Sequence, residues 1–470
     1  MPDSQRFSRR SFCTASLGLA ASAAAPASRP APHNVVFILA DDLGWADLGC
    51  YGADLHETPH LDAMARAGVR FTHAYSASPV CSPTRASIHT GLHPARLHMT
   101  IWREQSQLPP ENKPLRTPKT VEDLPQKLTT VAEALHSAGQ LTFHVGKWHL
   151  GGPDNYPENH GFDANIGGTH WGAPQSYFYP YRGNRWFGGE PRYVPGLYGG
   201  KPGEFLTDRL TSEALRLVDT AAGRPFFLSL NFHNPHTPIE GKPEQVERYQ
   251  SRIRPGLNHR NAAYAAMLQT LDENVGRVLL HLKERKLAEN TLVVFTSDNG
   301  GYIGKNQGQV VTNNTPLRSG KGSLYEGGVR VPLIAMGPGV AQGGVCRQPV
   351  ISCDLYPTLI TAGGGRPEPT PDALPLTGLF RNPDGRLERE ALYFHYPHYY
   401  ETTTPVSAVR AGRWKLLEYF EDGRTELYDL ESDPGETRDI AKENPAQAAE
   451  LLAKLKAWRI QVDAQVPTRA

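Results

Sequence analysis

Four short apolar runs constrain this chain more than any other feature: residues 35–39, 141–145, 226–230 and 292–295. Each has the length and the aromatic or β-branched content of a strand buried on both faces of a parallel sheet. Each also runs straight into polar residues. The first leads to Asp41-Asp42-Leu43-Gly44 and the second to Gly146-Lys147-Trp148-His149-Leu150-Gly151. The third leads through Asn231, Phe232, His233 and Asn234 to Pro235-His236-Thr237-Pro238, and the fourth to Ser297-Asp298-Asn299-Gly300-Gly301. Polar groups clustered past the carboxyl ends of parallel strands lie where open α/β sheets place their ligands.

Helical signals fall between these runs. Thr58-Pro59 opens a helix with Leu61, Met64 and Ala65 on one face, and Gly68 stops it before a strand starting at Val69. Thr130 and Glu133 have capping-box spacing ahead of Val131, Leu135 and Ala138. Residues 262–285 carry Met267, Leu268, Leu271, Val275, Val278 and Leu282 as an apolar stripe. The expected fold is therefore α/β, a large, mainly parallel mixed sheet sandwiched by helices. A proline-rich stretch at 367–375 precedes short alternating strands at 408–410, 414–419 and 427–429 and a final helix at 445–462. This predicts a smaller antiparallel sheet with a packed helix, dividing the chain into 1–32, 33–370 and 371–470.

The polar motifs suggest anion chemistry on a metal. Adjacent Asp41 and Asp42 repel each other unless a cation lies between them, and hard oxygen ligands favour calcium or magnesium. A further stretch, Cys81-Ser82-Pro83-Thr84-Arg85, places a cysteine where Pro83 fits the first turn of a helix. The dipole there favours an anion. Taken alone, Cys81 is equally well read as a buried small hydrophobe.

The C-x-P-x-R form at Cys81–Arg85, with G-K-W-H-L-G at 146–151, P-H-x-P at 235–238, the Asp-Asp and Asp-Asn pairs and Lys321 in Gly320-Lys321-Gly322, resembles the type I sulfatases. The motifs follow in the family's order over most of the chain. The resemblance implies an alkaline-phosphatase-like fold in which a formylglycine-generating enzyme has oxidised Cys81 to formylglycine. It implies metal ligation by Asp41, Asp42, Asp298, Asn299 and residue 81. One hydroxyl of the formylglycine hydrate would attack sulfur, with Asp298 or a nearby group assisting its deprotonation and the metal holding the alkoxide, and Arg85 and Lys147 would steady the formylglycine oxygen. His236, or else Lys321, would protonate the leaving oxygen, and His149 would deprotonate the second hydroxyl to expel sulfate. The two lysines would also bind the sulfate. Two alternatives are a phosphonate or phosphate monoester hydrolase of the same superfamily and a relative that binds sulfated glycans without turning them over.

Residues 152–203 are rich in aromatics and arginine, including Trp171, Tyr177, Tyr181, Arg182, Trp186 and Arg192. They have long stretches of loop character, which suit sugar rings bearing anionic groups and equally suit a loop packed by its own aromatics; the expected substrate is a sulfated carbohydrate attacked at a terminal unit. His395, Tyr396, His398 and Tyr399 read first as structural residues of the C-terminal part and second as candidates for the pocket rim. A net charge of +1 gives no footprint for nucleic acid. Ser8-Arg9-Arg10-Ser11-Phe12 before the small apolar run 15–25 reads as a twin-arginine export signal, too short for a membrane span. The expected location is periplasmic or secreted, without stable membrane association. Four cysteines after this segment are too few for a disulfide scaffold, and spacing leaves open whether Cys346 and Cys353 pair.

Overall fold

The computed structural model describes residues 33–108, 110–183 and 191–470, so the segment expected to direct export lies outside the described residues. A nine-stranded sheet forms its centre. In chain order the strands are β1 (Asn34–Ala40), β2 (Val69–Tyr75), β3 (Leu141–Gly146), β4 (Ala164–Ile166), β5 (Phe226–Asn231), β6 (Thr291–Ser297), β7 (Arg330–Met336), β8 (Gly344–Cys346) and β9 (Val350–Ile351). Their spatial order is β8-β2-β7-β6-β1-β5-β3-β4, with β9 also on β2. Only β7 runs antiparallel to its neighbours.

β1 lies parallel between β5 and β6, and every residue of β1 and β6 is buried. Side chains alternate across the pleat. Val36, Ile38 and Ala40 therefore meet the face covered by helices Pro59–Ala67, Leu206–Thr220 and Ala262–Glu284. Val35, Phe37 and Leu39 meet the face covered by Cys81–Thr90, Val131–Ser137 and Leu355–Ala362. Burial on both faces removes the polar alternation of a one-sided sheet, and the expected α/β architecture is what forms.

Strands β10 (Leu392–Tyr396), β11 (Val406–Ala411), β12 (Trp414–Tyr419) and β13 (Thr425–Asp429) make the antiparallel C-terminal sheet. Helix Pro445–Gln461 covers one face through Leu451, Leu455 and Trp458 against Val409, Leu416 and Leu427. Phe394, Ala408 and Leu417 on the other face pack with Tyr75, Val80, Leu324 and Val329. Lys415 is completely buried there, 2.9 Å from Glu326 and 3.0 Å from Glu436. That pairing fastens the small sheet to the segment following Lys321. Cys50, Cys81, Cys346 and Cys353 are free thiols. Among the described residues no helix is long and apolar enough to cross a membrane.

Residues 152–183 carry short regular pieces between their loops. They contain 3₁₀ turns at Pro153–Asn155 and Pro157–His160, and β4, which extends the sheet beside β3. Tyr177 and Tyr181 belong to the hydrophobic core, so neither presents a face to substrate. Trp186 lies outside the described residues.

Candidate active site

Strand register builds the acidic half of the site. Ala40 pairs with Ser297 across β1 and β6, so Asp41 and Asp298 leave the sheet as neighbours. Asp42 has φ +62°, a left-handed conformation that Asp tolerates better than most residues. Its N–H donates to Asp298 Oδ1 at 3.2 Å. Lys147 enters from β3. Gly146 before it has φ +98°, and a Cβ there would meet the Asn231 carbonyl oxygen at 1.9 Å. Only glycine lets the chain turn past β5 at that point.

Cys81 is the first residue of helix Cys81–Thr90, whose N-terminus has no side-chain cap. One turn later, Arg85 places Nε and Nη2 2.9 and 2.8 Å from Asp298 Oδ2, and Nη1 donates to the Lys147 carbonyl at 3.0 Å. The thiol lies 3.6 Å from Asp41 Oδ1. Lys147 Nζ donates to Asp41 at 2.7 Å, and Lys321 Nζ donates to Asp42 at 2.8 Å. His236 Nε2 is 3.5 Å from the same Asp42 oxygen. Eight of the residues predicted from sequence are thus linked directly: Asp41, Asp42, Cys81, Arg85, Lys147, His236, Asp298 and Lys321.

Asn299 completes the acidic cluster. Its Nδ2 donates to Asp42 Oδ1 at 2.8 Å, while Oδ1 is buried without a hydrogen-bond partner among the described residues. A buried orphan acceptor is costly unless something positive meets it. Three carboxylates and this amide oxygen fit a hard divalent cation, which Asp41, Asp42, Asp298 and Asn299 would hold beside residue 81. Ligand atoms of Asp41, Asp42, Cys81 and His236 all lie within 4.8 Å of one another.

Ionisation follows from burial set against pairing. Burial pushes the Asp41 carboxyl up to about 8, with Lys147 only partly opposing it. At Asp42 burial is outweighed by Lys321 and His236, which hold the carboxyl well below the usual range. Burial also opposes the charges on Lys147 and Lys321, yet Asp41 and Asp42 raise both ammonium groups above their ordinary values. The Cys81 thiol is driven far up by burial. Burial pushes His149 down to about 4 and, with Lys321, His236 down to about 3.

His149 reaches the site by another route. It follows β3 with φ +61°, and its carbonyl accepts from Ser82 Oγ at 2.7 Å, beside Cys81. Its Nε2 is 2.8 Å from Glu104 Oε2. The site opens into a cavity of about 360 Å³ lined by Cys81, His149, His236 and Lys321, with Trp102, Tyr302 and Tyr400 among its walls. Glu104, Trp102 and Tyr400 carry no motif in the sequence. Tyr400, rather than its four candidate neighbours, reaches the cavity. His395 and His398 are buried, bonded to Ser407 and Thr100, and Tyr396 is a core residue. Tyr399 donates to Glu421. Arg192 lines the cavity but is buried and paired with Glu104 at 3.2 Å.

The Sulfatase family model matches residues 33–365, and the model for the C-terminal part of N-sulphoglucosamine sulphohydrolase matches 320–465. Arylsulfatase A of Homo sapiens is 32% identical over 93% of this chain and 89% of its own length. N-acetylgalactosamine-6-sulfatase of Canis lupus familiaris is 35% identical over 85% and 74%. The solved structure of Ps i-CgsB in complex with k-i-k-neocarrahexaose superposes with a TM-score of 0.75 at 28% identity, covering 92% of this chain and 94% of that one. With likeness of this extent running through strands, helix and both sheets, the chain belongs to the sulfatase family and is a sulfate ester hydrolase.

Proposed function

We propose that this sulfatase removes sulfate from a terminal unit of a carbohydrate, using formylglycine made from Cys81 by a formylglycine-generating enzyme and one divalent cation, calcium before magnesium. The observation that carries the reading is the cavity. Its floor is Cys81, Lys321 and His236, where the Lys321 ammonium carries the positive charge, and Trp102, Tyr302 and Tyr400 are among its walls. Aromatic side chains suit sugar rings, and the Lys321 ammonium suits a sulfate group. Similarity to N-acetylgalactosamine-6-sulfatase and to Ps i-CgsB, solved with k-i-k-neocarrahexaose, supports a sugar substrate.

When present, the hydrate supplies an attacking hydroxyl and the cation lends positive charge to reacting oxygens. The chain's own groups do the rest. Lys147 and Lys321 bring positive charge to the floor, while Arg85 neutralises Asp298 and holds it in place. His149, neutral at pH 7, accepts a proton from residue 81. His236 Nδ1 donates to the Thr237 carbonyl at 2.8 Å, so Nε2 delivers a proton to a leaving oxygen only from the imidazolium form. Lys321 is the second donor at the cavity floor. A buried, un-ionised thiol is a poor nucleophile, which supports Cys81 as a precursor rather than the reacting group itself. The twin-arginine segment supports export to the periplasm or beyond.

The test is sulfate release from an aryl sulfate and from a panel of sulfated mono- and oligosaccharides, with protein made alongside a formylglycine-generating enzyme and Cys81→Ala as blank. Cys81-dependent release from terminally sulfated sugars is expected. Faster turnover of the matching phosphate or phosphonate esters, or release from internal units alone, would overturn the reading.

A further inference from the structure

We propose that Glu104 is a positioning residue for His149, fixing the imidazole as the Nε2–H tautomer so that Nδ1 is the proton acceptor at residue 81. The inference rests on the proton-accepting role proposed above for His149.

Glu104 lies in the short turn Arg103–Ser106, remote in sequence from every motif. Both of its oxygens are committed. Oε2 is 2.8 Å from His149 Nε2, and Oε1 accepts from the Gly172 N–H at 3.0 Å and from Arg192 Nη2 at 3.2 Å. Three donors from two other loops thus fix the carboxylate. The imidazole is held just as closely. A Cβ at Gly172 would come within 2.4 Å of His149 Cε1, so the backbone of that loop lies against the ring. The His149 N–H donates to the Thr169 carbonyl at 2.9 Å, and its left-handed backbone is a conformation retained only where surroundings over-determine it.

A carboxylate only accepts hydrogen bonds, so His149 Nε2 must carry the hydrogen. Nδ1 is buried and has no hydrogen-bond partner among the described residues, in a side chain that lines the cavity with Cys81. An unsatisfied buried nitrogen is expensive unless it has a use. In the step assigned to it, Nδ1 takes the proton of the remaining hydroxyl on residue 81. The O–H electron pair becomes the carbonyl π bond, the C–O bond to sulfate breaks, and sulfate leaves with that bond's electrons. Glu104 stays ionised and stabilises the imidazolium so formed, as the orienting carboxylate does in hydrolase triads.

The experiment is nitrogen NMR of full-length, ¹⁵N-histidine-labelled protein at neutral pH, with the His149 signal assigned by its loss in His149→Gln. The wild type should show Nε2 protonated and Nδ1 bare. Glu104→Ala should give mixed tautomers while the other histidine signals stay in place, and Glu104→Gln, which keeps an acceptor oxygen, should restore the wild-type pattern. In the matured enzyme, Glu104→Ala should lower kcat by roughly 10²-fold or more with sulfate retained on the residue-81 peptide, since the first transfer does not need this base. A wild-type His149 protonated on Nδ1 overturns the proposal. So does an unchanged tautomer in Glu104→Ala, or, should that variant not fold, a Glu104→Gln protein with altered tautomer and full activity. The NMR measurement needs no substrate, so it stands apart from any failure of the carbohydrate assignment.

Discussion

Ala40 and Ser297 are register partners on adjacent parallel strands, and the next residue of each strand is an aspartate of the site. The sheet itself therefore forces Asp41 and Asp298 together, with Asp42 and Asn299 one step beyond. Such a cluster gains stability from a cation that binds only the folded state. A ligand at a hundredfold excess over its Kd contributes about 2.7 kcal/mol. Protein stripped with a chelator should show a rise in Tm on adding calcium, smaller in Asn299→Leu, which lacks the orphan oxygen. A wild-type Tm indifferent to calcium and magnesium would rule out the cation.

Lys147 and Asp41 form a pair from which water is excluded, both side chains being completely buried. Removing Lys147 leaves Asp41 buried without its cation, and a carboxyl already pushed up to about 8 by burial then takes up a proton, which holds the cost below the about 3–5 kcal/mol of an uncompensated buried charge. Lys147→Met should lower the denaturant midpoint accordingly. The double variant Lys147→Met with Asp41→Asn should recover much of the loss, because coupled neighbours are not additive. Additive effects would mean that the pair is not coupled in solution.

The sheet and the acidic half of the site were legible because both are written locally. Buried parallel strands appear as apolar runs, and their ligands follow them directly. Helix Leu206–Thr220 also had a local signal, Leu206, Leu210, Ala214, Leu217 and Val218 at helical spacing, which the sequence reading passed over. Strand β4 is three residues long between glycines and aspartate, too short for any periodicity. Trp102, Glu104 and Tyr400 were not legible for a different reason. They reach the cavity through loops that pack from opposite parts of the chain, and no spacing rule links position 104 to 149. Arg192 looked like a substrate arginine because a sequence shows a charge but not the carboxylate that neutralises it.

Acid should weaken the fold through the histidines around Trp148. His144 lies in β3 with its ring 5.3 Å from Trp148, and His160 lies 5.6 Å from the same indole. Burial pushes His144 down to about 3 and His160 down to about 4, from 6.5. A depressed folded-state value means that the unfolded chain takes up the proton first. The stabilisation is therefore complete above pH 6.5 and is lost as pH falls towards those lower values. Each histidine gives up at most about 1.4 kcal/mol per pH unit inside that window. Urea midpoints of calcium-saturated protein, in which Asp41 stays ionised, should be lower at pH 5 than at pH 7, and the difference should shrink in His160→Gln. Equal midpoints would contradict the burial of neutral rings.

Cys81→Ser isolates the second half of the reaction. Serine offers one hydroxyl where the hydrate offers two, in the same place at the head of the helix and beside Asp41, Lys147 and Lys321. Transfer of sulfate to its Oγ needs that hydroxyl, a group such as Asp298 to take its proton, the cation and the lysines, and His236 or Lys321 to protonate the leaving oxygen, but not His149. Release by elimination needs a second hydroxyl for His149 to deprotonate, and serine has none. The variant should therefore hold sulfate on the residue-81 peptide after exposure to an aryl sulfate, visible as added mass, with little turnover. Cys81→Ala should show neither. Steady turnover by the serine variant would mean that water attacks sulfur directly, and the roles given to His149 and Glu104 would fall with the elimination step.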